Sequence, residues 1–82
     1  MTRDEAVAAA RQYCEAPANL VWVAEDDAWL IAEGEQGLPA YGLPLPPYWV
    51  VPLHRRGIRA VGASTVVVVS DTLAPIVVTY GE

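Results

Sequence analysis

Four consecutive valines, Val66 to Val69, set the strongest limit on what this chain can fold into. β-branched residues favour strands, and a strand sends successive side chains to opposite faces. An unbroken valine run is therefore apolar on both sides, and a sheet built on it needs cover on both faces. The same holds around Trp22, flanked by Val21 and Val23, and around Trp29, followed by Leu30. At 82 residues the chain is one small domain, able to bury only about 60 % of its unfolded surface. Helix-forming sequence occurs once, so one face receives a helix. The other face is left to the chain's own loop, a second copy of the chain, or a different partner.

The helix is written into the first residues. Thr2 and Glu5 have capping-box spacing, so each side chain can satisfy a free amide of the first turn. Asp4 and Glu5 suit the positive end of the helix dipole. Ala6, Val7, Ala10, Tyr13 and Cys14 then recur at three- and four-residue spacing and make one apolar face. Pro17 excludes helix at Ala16, which bounds the helix at about residues 3–15. Strand-forming sequence follows at 20–24, 28–33, 48–53, 65–70 and 76–80. The acids Glu25-Asp26-Asp27 fit a tight connection, so the first two runs read as a hairpin. Pro52 places its strand at an edge or a bulge. Ile58 to Val61 has the composition for a brief further pairing. Residues 34–47 hold three glycines and four prolines and read as a long loop, functional or mobile. The reading is α+β: one N-terminal helix packed on a four- to five-stranded, largely antiparallel meander sheet.

Charge and composition exclude several roles. Ten acids face five arginines with no lysine, giving a net charge of −5, which argues against nucleic acid and anionic membranes as partners. With 54 % apolar residues the chain is not disordered. The longest uncharged stretch, Gln36 to Leu53, is broken by Gly37, Gly42 and five prolines and does not read as a membrane span. The opening Met1-Thr2-Arg3-Asp4-Glu5 is too acidic for a signal peptide. One cysteine, Cys14, permits no internal disulfide and suits a reducing cytoplasm.

Groups for catalysis are scarce. Cys14 and His54 are the only pair suited to thiol–imidazole chemistry, and Cys14 falls on the apolar helix face, where a thiol is usually an inert hydrophobe. One His and one Cys do not make a zinc site. Glu25-Asp26-Asp27 lacks the spacing of a calcium loop. Ser64, Thr65, Ser70 and Thr72 fall at strand ends with no base beside them, and without lysine there is no phosphate-binding loop of the Walker type. No enzyme activity and no cofactor are expected. His54-Arg55-Arg56 with Arg59 reads either as an anion clamp or as solvated charge offsetting the acidic half. Pro44-Leu45-Pro46-Pro47 has the spacing of a polyproline II ligand, and reads more simply as part of an ordered loop.

The helix segment "TRDEAVAAARQY", the strand "YWVVPL", the link "RGIRAVGAS" and the strand and turn "TVVVVSDT" resemble two groups of small bacterial domains. These are the polymorphic-toxin immunity proteins called immunity protein 35 and the PepSY-type inhibitory domains. The resemblance covers the helix and the C-terminal half. It departs at Asp71 to Pro75, where those families usually carry a glycine, and it has no counterpart for residues 20–47. It implies a cytoplasmic, non-enzymatic protein that neutralises a cognate toxin by binding it. The excess of carboxylates suits a basic toxin, and the expected contact residues are Glu25, Asp26, Asp27, Glu33, Glu35, Tyr41 and Tyr48. Five of the ten acids lie within residues 25–35, and tyrosines add contact area at small rotamer cost. A tryptophan left out of the core would serve the same end. The alternative is a small structural or assembly protein that homo-oligomerises through its valine-rich sheet.

Overall fold

The computed structural model describes residues 1–57 and 63–81. Helix α1 spans Arg3–Glu15 and opens on the expected capping box. Thr2 Oγ1 accepts from the Glu5 amide at 3.2 Å, and the Thr2 amide donates to Glu5 Oε1 at 2.7 Å. At the other end Asn19 Nδ2 donates to the Tyr13 carbonyl at 3.0 Å, and a 3₁₀ turn over Pro17–Asn19 leads the chain away. Five strands follow: β1 (Trp22–Ala24), β2 (Trp29–Ile31), β3 (Tyr48–Arg55), β4 (Ala63–Ser70) and β5 (Leu73–Gly81). Every pairing is antiparallel, so the fold is α+β with one helix on an open five-stranded sheet. The pairing considered for Ile58 to Val61 lies outside the described residues.

The expected hairpin between β1 and β2 does not form. Both strands run along the same edge of β3, β1 against Leu53–Arg55 and β2 against Tyr48–Val50. Between Ala24 and Trp29 four residues, Glu25 to Ala28, stand opposite two, Val51 and Pro52. The acids thus build an outward bulge in one interrupted edge strand, not a turn. The interruption suits Pro52. The Glu25 amide donates to the Pro52 carbonyl at 2.9 Å, so the backbone polar side of Pro52 faces this edge. Its missing N–H falls where the partner strand breaks, which lets a proline occupy an interior strand without losing a ladder bond. Strands β3, β4 and β5 then follow one another as a meander.

Alternation along β3 divides the core in two. Val51 and Leu53 join Val67, Val69, Ala24 and Ala28 beneath the helix residues Ala6, Val7, Ala10 and Cys14. Tyr48 and Val50 join Val66, Val68, Val78 and Ile31 on the other face. All four valines of the run are 0–2 % exposed, each burial contributing about 1.5–3 kcal/mol. Of the three covers open to the second face, the chain supplies its own: Leu38, Ala40 and Leu43 of the 34–47 loop pack onto it. The loop is fastened by Tyr48, whose hydroxyl accepts the Leu38 amide at 3.0 Å. It departs from β2 through a tight turn at Ala32–Glu35. There the Glu35 amide donates to the Ala32 carbonyl at 3.0 Å, and Gly34 takes the positive φ of 86° the turn requires.

Candidate functional site

Strand β2 is the exposed part of the edge that β1 and β2 form along β3. Trp29 stands in register with Val50 and so lies on the loop-covered face, and Leu30, opposite Trp49, lies on the helix face. Neither is fully covered: Trp29 is 40 % and Leu30 46 % exposed. Trp22 and Trp49, by contrast, pack against the helix-side core, and Trp49 Nε1 donates to the Met1 carbonyl at 3.1 Å. The tryptophan left over is Trp29.

Acids flank this pair on both sides along the chain. Before it stand Glu25, Asp26 and Asp27 in the bulge; after it, Glu33 and Glu35. Asp26, Asp27, Glu33 and Glu35 are exposed and Glu25 is half-buried. Asp26 pairs with Arg11 of the helix. Glu35 Oε1 accepts the Ala32 amide at 2.6 Å, so this carboxylate also shapes the turn after β2. Glu25 Oε2 lies 3.8 Å from His54 Nδ1, a buried nitrogen with no hydrogen-bond partner. The result is an edge strand with one exposed apolar side chain on each face, aromatic on the loop side and aliphatic on the helix side, and acids before and after both in the chain. An exposed aromatic near polar residues has the composition of an interface anchor.

The two tyrosines part company. Tyr41 is fully exposed on the loop, as is Leu45 further along it. Tyr48 is 1 % exposed and cannot meet a partner: its ring fills the loop-side core and its hydroxyl is committed to Leu38. Its placement beside the loop suggested exposure, whereas alternation along β3 puts it on the face of Val50. Trp29 and Leu30 are the site residues that sequence reasoning did not name. A run of three strand residues between acid clusters was the available signal.

Other candidates are placed apart. Cys14 lies on the buried face of the helix, and burial pushes its thiol up from the ordinary range, against a hydrogen bond to the Ala24 backbone and the nearby Arg56 charge. His54 follows Leu53 in β3 and so projects from the opposite face of the sheet, away from that thiol. Arg56 is used structurally, its Nε donating to the Leu20 carbonyl at 3.0 Å; Arg59 lies outside the described residues. Ser70 and Thr72 hydrogen-bond each other across the β4–β5 turn. Among the described residues no three His, Cys, Asp or Glu side chains gather as a metal site, and no helix is long and apolar enough to cross a membrane. Comparison with family models, curated proteins and solved structures finds no match.

Proposed function

We propose that this chain is a non-enzymatic, cytoplasmic binding protein, an immunity protein that neutralises a cognate bacterial toxin by contact through the β2 edge. The observation that carries the reading is the exposure of Trp29 and Leu30 between two groups of acids. An exposed tryptophan on an ordered strand loses little entropy on binding and buries a large area. The acids suit a basic target such as a nucleic-acid-cleaving toxin, which they attract from a distance. The resemblance of the helix and the C-terminal half to toxin-immunity proteins supports the same class.

Self-association through the valine face has less support, because Val66 to Val69 are already covered within one chain. The reading expects a toxin gene immediately upstream, and the test is co-expression with the toxin that gene encodes. The wild-type protein is expected to rescue growth, and Trp29→Ala is expected to lose rescue while its unfolding midpoint stays near wild type. A wild-type chain that neither rescues growth nor binds that toxin overturns the proposal.

A further inference from the structure

The two edges of the sheet are guarded very differently. On one side the edge is two three-residue strands, broken by a bulge and lined with acids, the devices by which proteins prevent strand-to-strand pairing. On the other side β5 runs nine residues, Leu73–Gly81, with no charged residue. Pro75 falls where the β4–β5 register slips, near the start of the strand, and leaves the rest of the edge open. Among the described residues β5 pairs only with β4.

The backbone groups it leaves free follow from the register. Pro52 points its polar side toward β1, so Val51 and Leu53 bond to Val67 and Thr65 of β4. Val66 and Val68 then bond to Val78 and Ile76 of β5. By alternation, Val77 and Thr79 turn their N–H and C=O groups outward. The helix lies over β1, β3 and β4 and reaches β5 least; on that face Val77 is half-buried and Thr79 exposed.

We infer that two copies of this chain pair antiparallel along β5 about a two-fold axis, joining their sheets into one of ten strands. The register that uses both free residues twice sets Val77 of one copy opposite Thr79 of the other, with four backbone hydrogen bonds. Charge selects a second copy as the occupant. Five of the ten acids of each chain sit on the far edge, three strand spacings from β5. These two acidic edges therefore stand about 34 Å apart, several Debye lengths at physiological salt. Asp71, in the turn before β5, is paired with the N-terminal ammonium. A basic partner finds no charge on β5 to hold. The inference is independent of the proposed toxin contact, which uses the opposite edge.

The test is mass by sedimentation across micromolar concentrations, with amide hydrogen exchange. A dimer of twice 8.8 kDa is expected, with the Val77 and Thr79 amides protected although neither is bonded within its own chain. Thr79→Lys adds a charge at an exposed position, and Val77→Pro removes an outward donor without touching the β4 ladder. Each is expected to weaken the dimer at least about tenfold while circular dichroism stays native. A wild-type monomer at hundreds of micromolar overturns the inference. So does a dimer whose Val77 and Thr79 amides exchange as fast as loop amides, or one that both substitutions leave unchanged. Protection of those amides only when a different protein is added also overturns it.

Discussion

A Cβ built on Gly37 would lie 2.6 Å from the Tyr48 hydroxyl, well inside contact distance, while that hydroxyl receives the Leu38 amide at 3.0 Å. Gly37→Ala is therefore expected to cost about 1–3 kcal/mol through overpacking. Tyr48→Phe, which strands the Leu38 amide, is expected to cost about 1 kcal/mol. The double variant should cost less than the sum, because phenylalanine lacks the oxygen that clashes. Urea unfolding of the three variants checks this, and strict additivity would contradict it. Cys14 supplies a pH prediction. Its thiol is raised by burial on the core face of the helix, so the folded state holds that proton more tightly than the unfolded state. The resulting stability is complete below the ordinary thiol range near pH 8.5 and is lost as pH rises through the higher folded value. Cys14→Ala should flatten this alkaline decline relative to wild type in thermal unfolding followed from pH 7 to 10.

Elements differ in how much of them is local. Helix α1 was legible because everything that starts and stops it is within the segment: Thr2, Glu5 and Pro17. The valine strand was legible because four β-branched residues in a row have few other uses. The acids at 25–27 were misread because a tight turn and an outward bulge ask for the same polar residues. What separates them is pairing with β3, more than twenty residues away, and no local pattern encodes that. The loop was legible in its punctuation but not in its duty, since Leu38, Ala40 and Leu43 are too widely spaced for any periodicity. Changing those three to Ser is expected to open the face carrying Val50, Val66, Val68 and Val78, at about 2–4 kcal/mol. A rise in dye binding to exposed apolar surface, with precipitation at high concentration, is the measurement. An unchanged signal would mean the loop contributes little cover.

At the scale of the whole molecule, charge is laid out along one edge. Half of the acids sit within residues 25–35, around a β2 whose Trp29 and Leu30 are open to solvent. Reversing Asp26 and Asp27 to Arg should slow association with a basic partner about tenfold at low salt, and the loss should shrink as salt rises. Stopped-flow binding at two ionic strengths reads it, and equal rates for wild type and variant would remove the steering role. The strand order also governs how the chain comes together during synthesis. β1 and β2 leave the ribosome early but have no sheet to join until Tyr48–Arg55 has followed them. At roughly 5–20 residues per second that interval lasts seconds, in which Trp22, Trp29 and the apolar side of the helix stay wet. The meander of β3, β4 and β5 pairs neighbours in the chain, so its contacts close over short loops. During synthesis β1 and β2 therefore have their partner strand before β4 and β5 have been made, and the β4 side of β3 is the last to gain its neighbour.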